Sequence, residues 1–106
     1  MDTIYIKRGN KVVLPIVFED NDGNRLNITG GTVIFTVKRV GAASNALQKV
    51  ITTFTNPSQG ECEITLDTTD TSSLSEGEYC YEIKLTTSTI VENTDLGVVK
   101  VTEPLA

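Results

Sequence analysis

The chain has no histidine and no tryptophan, only two cysteines, three prolines and one methionine, and its nine basic residues form no run. Without histidine the commonest general base and metal ligand is missing, and no Ser-His or Cys-His pair exists. The carboxylates, Glu61, Glu63 and Glu82 among them, sit singly at turns or on outward strand positions. That is the ordinary place for surface charge, not an acid–base pair. No catalytic residue, cofactor or metal is therefore expected. Without tryptophan, and with Tyr5 the one ring in a plausibly exposed position, the aromatic platform of a glycan site is lacking. The net charge of −5 argues against nucleic acid and against anionic membranes as partners. No apolar run approaches the roughly 18 residues of a membrane span. The opening "MDTIYIKRGN" lacks a basic-then-apolar signal pattern. The expectation is a protein made and used without secretion, in which disulfides are not favoured.

What is present is β-branched. Sixteen Thr, eleven Val and nine Ile make up about a third of the 106 residues. These side chains lose χ1 freedom in a helix and suit a pleated sheet. One all-β domain over residues 1–106 follows. Strands are read at Thr3–Lys7, Lys11–Glu19, Thr32–Val40, Leu47–Phe54, Glu61–Leu66, Tyr79–Thr86 and Leu96–Thr102. Turn signals between them recur about every ten residues, the pattern of a β-sandwich of seven to eight strands. In the second strand Leu14, Ile16 and Phe18 share one face and Val13 and Val17 the other. Pro15, with no N–H, places that strand at an edge or bulge. Val33, Phe35 and Val37 point inward, as do Cys62, Ile64 and Leu66. The one helical turn falls within Asp67–Glu78, with Asp70 as its cap and Leu74 beneath it. Residues 87–95 read as a hairpin connection.

Three short motifs resolve into turn or core chemistry. "DNDGNR" spaces Asp20, Asp22 and Asn24 like calcium ligands, but the glycine sits at 23 and no distal glutamate follows, so a hairpin turn is the better reading. Asn27-Ile28-Thr29 matches a glycosylation acceptor, which matters only on a secretory path. The stretch "LSEGEYCYEI" brings Tyr79 and Cys80 together where immunoglobulin domains place tyrosine and cysteine two apart. With Tyr79, Tyr81, Ile83 and Leu85 on one face, Cys80 goes outward with Glu82 and Lys84, away from the inward Cys62. No intrachain disulfide is expected, although an outward Cys80 could meet a neighbouring subunit. Leu74, Gly77 and Tyr79 form a tyrosine corner: Gly77 lets the chain turn, and Tyr79 returns its hydroxyl to backbone near Thr71–Leu74.

The order of "IKRGN", "DNDGNRLNITGGTVIFTVK", "GECEITLDTTDTSSLSEGEYCYEIKL" and "LGVVKVTEP" resembles the small Ig-like domains of bacteriophage virions. It is nearest to the N-terminal domain of phage baseplate upper proteins and related short tail and head-fibre proteins. The resemblance spans nearly the whole chain, although baseplate upper proteins continue beyond such a domain. It implies an immunoglobulin-like sandwich, no enzymatic activity, and a structural place in the virion (tail, baseplate, neck or capsid) after assembly in the host cytoplasm. The implied partners are other virion proteins and further copies of the chain. The expected docking elements are Thr3–Lys7, Leu96–Thr102 and the loop Gly41–Ala46. The interface candidates are Ile4, Tyr5, Val13, Val17, Ile34, Gly41, Asn45 and Val98. The outward valines and Ile34 are more apolar than a solvated face requires; either a partner covers them, or a second sheet or the termini do. A carbohydrate-binding or adhesin-type sandwich is the alternative, and a piece of a bacterial surface protein a third reading.

Overall fold

The computed structural model describes residues 3–20, 22–42, 44–88 and 97–103, together with the backbone of 91–93. Leu96 and Pro104, read above as the start and stop of the last strand, lie outside the described residues. The elements run β1 (Thr3–Lys7), β2 (Val12–Val17), β3 (Thr32–Arg39), β4 (Leu47–Ile51), a 3-10 turn (Pro57–Gln59), β5 (Glu61–Leu66), α1 (Thr68–Ser72), β6 (Gly77–Thr86), β7 (Val91–Asn93) and β8 (Gly97–Thr102). They form two sheets. The larger has the order β1-β8-β6-β3-β4, with β7 also paired to β6; the smaller is β2-β5. β1 runs parallel to β8, and every other pair is antiparallel.

Side-chain alternation sets the faces. Val33, Phe35 and Val37 of β3, Tyr79, Tyr81, Ile83 and Leu85 of β6, and Val99 and Val101 of β8 are buried on one side of the large sheet. Cys62, Ile64 and Leu66 of β5 close the core from the small sheet, with Leu14 and Ile16 of β2 half-buried beside them. Shifting either strand by one residue would drive Glu63 or Lys84 into this aliphatic core, so the register is firmly specified. Both cysteines are free.

Several readings need correction. The second strand, read as Lys11–Glu19, is Val12–Val17, and β6 begins at Gly77, two residues before the Tyr79 read above. β4 ends at Ile51, not Phe54. Beyond it the chain leaves the sheet: Phe54 packs against the core, and Asn56 bridges to Glu61 at the start of β5. Residues 87–95, read as a bare connection, contain β7, a strand of three residues that pairs with Lys84–Thr86. Strand 32–40 stops at Arg39, leaving Val40 in the turn. Asp70 is not the cap of α1: Asp67 is, and Asp70 stands three residues inside, accepting the Asp67 N–H on Oδ2 at 2.9 Å. That bond, more than the neighbouring Lys49 ammonium, holds the Asp70 carboxyl below its ordinary range. Lys49 Nζ reaches Asp70 Oδ2 at 3.0 Å, which ties α1 to β4.

A second polar clasp fixes α1 to the β1–β2 turn. Thr71 is fully buried; its hydroxyl accepts from the Gly9 N–H at 3.0 Å and donates to the Asn10 carbonyl at 2.9 Å. Arg8 donates to the carbonyls of Leu74 (2.7 Å) and Ser72 (2.8 Å) and pairs with Glu103 at 2.6 Å. A guanidinium on the last carbonyls of a helical turn satisfies acceptors that the turn itself leaves open. Among the described residues no buried side-chain polar atom lacks a partner.

Candidate docking surface

The corner at the start of β6 gathers Leu74, Gly77, Tyr79 and Arg39. Leu74 is buried under α1, and Gly77 turns the chain at a φ of 145° with the Arg39 guanidinium against it. The Tyr79 ring is buried. Its hydroxyl donates to the Ser75 carbonyl at 2.7 Å, one residue beyond the Thr71–Leu74 range expected above. The shorter reach follows from geometry: Ser73 and Leu74 still belong to the turn of α1, and Ser75 is the first residue past it. The hydroxyl also accepts from Arg39 Nη2 at 3.2 Å, while the guanidinium carbon lies 4.8 Å from the Tyr79 ring centre. Arg39 also donates to the Glu76 carbonyl. Removing this one oxygen takes away two part-buried bonds, one to the Ser75 carbonyl and one from Arg39, so Tyr79→Phe should cost about 1–2 kcal/mol in a urea titration. A midpoint unchanged from the wild type would mean the hydroxyl carries no weight.

The outward faces hold the surface candidates, and the fold distributes them over two separate sides. Val13 and Val17 flank Pro15 on the small sheet; both valines are exposed (44% and 47%), opposite Thr65, Glu63 and Glu61 of β5. On the large sheet Tyr5 is, among the described residues, the most exposed of the large apolar side chains, at 72%, beside Lys100. Val98 and Ile34 are half-buried on the same outer side, Val98 against Cys80 and Ile34 against Lys84. Gly41 and Asn45 are exposed in the β3–β4 loop. Ile4 packs against the core beside the buried Ile6, so its side chain serves the interior. Sequence reasoning missed Val50, which is 60% exposed and directly opposite Ile34, and Val40 at 69%. The signal for Val50 was its parity with Gln48, readable once β4 is placed at an edge.

Between β3, β4 and β6 the outer face carries a depression of about 430 Å³, lined by Thr36, Lys38, Asn45, Gln48, Cys80, Tyr81 and Glu82. Within it Gln48 Nε2 donates to Thr36 Oγ1 at 3.2 Å, and no set of three potential metal ligands occurs among the described residues. The acidic turn at 20–24 is likewise committed to itself. Asp20 Oδ1 accepts the N–H groups of Asp22 and Asn24, both at 2.9 Å, and such bonds, that of Asn24 foremost, lower its carboxyl pKa. Asn27 Oδ1 accepts from the Thr29 N–H and hydroxyl, while Ile28 between them is fully buried. No helix among the described residues is long and apolar enough to cross a membrane.

The cysteines offer a direct check on register. Cys62 is 1% exposed, and burial, with the Glu63 charge adding to it, pushes its thiol up to about 11. Cys80 is half-buried on the opposite face, its Sγ 3.6 Å from the Lys38 carbonyl. A thiol reagent should therefore modify Cys80 well before Cys62, because burial both raises the Cys62 thiol and closes off access to it. A mass-spectrometric time course with equal rates at the two sites would put one strand on the wrong face. No family model matches the chain, and neither does any curated protein.

Proposed function

We propose that the chain is a non-enzymatic structural component of a bacteriophage particle, an immunoglobulin-like sandwich that docks on other virion proteins in multiple copies. The strand order supports the fold assignment in this reading. A five-strand path with a parallel first-to-last pair faces an antiparallel β2-β5 pair, and a tyrosine hydroxyl returns to backbone just before β6. Those are features of the immunoglobulin architecture without its disulfide. The observation that carries the docking role is the exposure of Tyr5, Val13, Val17, Val40 and Val50 around a core that is otherwise well closed. Apolar side chains that stand next to one another outside, as Val50 does with Ile34, mark a face that a partner covers. Mass spectrometry of purified particles tests the proposal: the chain should be present in many copies per particle. Its confinement to the soluble fraction of infected cells would overturn it.

A carbohydrate-binding or adhesin-type module is the second reading, and the polar depression around Asn45, Gln48 and Glu82 is the observation in its favour. Specific retention on a glycan array, abolished by Gln48→Ala, would favour it over the structural role.

A further inference from the structure

We infer that the chain associates head to tail with further copies of itself, the free edge of β1 adding as a strand to the free edge of β5 in the next copy. The argument begins with backbone parity. Phe18 donates its N–H to the Gly60 carbonyl at 2.9 Å, in the same register as the β2–β5 pairing. In an antiparallel ladder the bonded pairs alternate. Ile16–Cys62, Leu14–Ile64 and Val12–Leu66 therefore exchange bonds, while Glu61, Glu63 and Thr65 turn their N–H and C=O groups to the outer edge. Asn56 already takes both groups of Glu61, at 3.0 and 3.2 Å. Glu63 and Thr65 remain, without a main-chain partner among the described residues. The same parity turns Pro15 toward the other edge of this sheet, where its missing N–H interrupts any addition to β2.

The complementary edge is at the far end of the large sheet. Arg8 donates its N–H to the Thr102 carbonyl at 2.9 Å, so Ile4, Ile6 and Arg8 address β8. Thr3, Tyr5 and Lys7 turn their backbone groups outward; of these, the Lys7 carbonyl accepts one bond, from Asn10. An antiparallel alignment with Lys7 opposite Glu63 and Tyr5 opposite Thr65 joins the outward backbone groups of both edges. It sets a cation against a carboxylate and an aromatic ring against a β-branched residue, two favourable cross-strand pairs. It also keeps Ile4 and Ile6 on the same side as Leu66 and Ile64.

Charge selects this match. Lys7 and the nearby Lys11 and Lys100 form no ion pair within the chain among the described residues, and Glu63 forms none either. Glu61 and Glu19 share the single Arg25. Lys100 has Glu78 directly opposite it, which leaves the Lys7 ammonium at one edge and the Glu63 carboxylate at the other without an ion-pair partner among the described residues. Because the two edges differ, the contact is heterologous and repeats from copy to copy, into a ring or a filament.

The inference deepens the docking role proposed above by naming the partner, and it is tested on the purified chain. Absence from particles would overturn that role and leave the association standing. Sedimentation velocity from micromolar to millimolar concentration should show progressive association that weakens as salt is raised. Lys7→Glu and Glu63→Lys, both exposed substitutions that spare the core, should each raise the dissociation constant roughly fivefold or more. The double exchange Lys7→Glu with Glu63→Lys should restore association. Tyr5→Pro and Thr65→Pro, each blocking one edge, should be monomeric alone but form a one-to-one dimer when mixed, with nothing larger. A wild-type chain that stays monomeric at millimolar concentration, single reversals without effect, or a double exchange that fails to restore association would each overturn the inference. So would a mixture of the proline variants that stays monomeric.

Discussion

Replacing Gly60 with alanine is expected to destabilise the fold by about 3 kcal/mol or more, the sum of a left-handed backbone penalty and a steric one. Gly60 sits at a φ of 71°, where a Cβ costs about 1–2 kcal/mol on its own. An added Cβ would also stand 2.6 Å from the Phe18 carbonyl oxygen and 2.8 Å from that of Leu26. Neither oxygen can yield cheaply. The Phe18 carbonyl accepts the Leu26 N–H at 3.0 Å, and Phe18 in turn donates to Gly60 itself. The exit of β2, the return from the acidic hairpin and the entry to β5 thus converge on one missing side chain. Gly41, at a φ of 81° with open space around it, is the control. Gly41→Ala should lose only the backbone contribution, about 1 kcal/mol. If guanidinium titrations place the two variants at the same midpoint, the steric account is wrong.

Gly97→Ala should cost about 2–4 kcal/mol, the reverse of the usual expectation for a strand glycine. Alanine in a strand normally gains about 0.5–1 kcal/mol over glycine, through the lower entropy of its unfolded chain. Here the new methyl would fall within the ring of Tyr81, its directly opposed partner on β6. That ring is 9% exposed and packs on Phe35, with centroids 5.6 Å apart. It covers the bare backbone of Gly97 much as aromatic residues cover glycines across strands in designed sheets. A double-mutant cycle isolates the contact. In a Tyr81→Ala background, Gly97→Ala should be neutral or mildly stabilising. If the full cost persists there, its source is not the ring.

Where one face of a strand is buried and the other wet, the chain was legible. "ECEITL" and "GEYCYEIKLT" alternate because each presents a single side to the core, and the faces of Cys62 and Cys80 followed from that alternation. Legibility failed where structure depends on a neighbour. β7 is too short to show a period, and its pairing with Lys84–Thr86 is what makes it a strand. Ile28 lies in a connection, yet it joins the core, and its N–H is held by the Pro57 carbonyl, 29 positions away. The cap of α1 passed from Asp70 to Asp67 because both carboxylates suit a helix start, and only the exit path of β5 chooses between them. The surface candidates split the same way. Parity placed Val13 and Val17 outside, but the exposure of Val50 required knowing that β4 ends the sheet among the described residues.

The parallel pairing of β1 with β8 has a mechanical consequence. Thr3 lies opposite Val98 and Lys7 opposite Thr102, so the first and last strands overlap over five rungs with the same polarity. Tension applied between the start of β1 and the end of β8 pulls the two strands along their length in opposite directions. All the rungs then carry load together, whereas a hairpin pulled at its open end would lose its bonds in succession. Rupture under force follows the height of the unfolding barrier, not equilibrium stability. This strand arrangement raises that barrier along one axis, the line from the start of β1 to the end of β8.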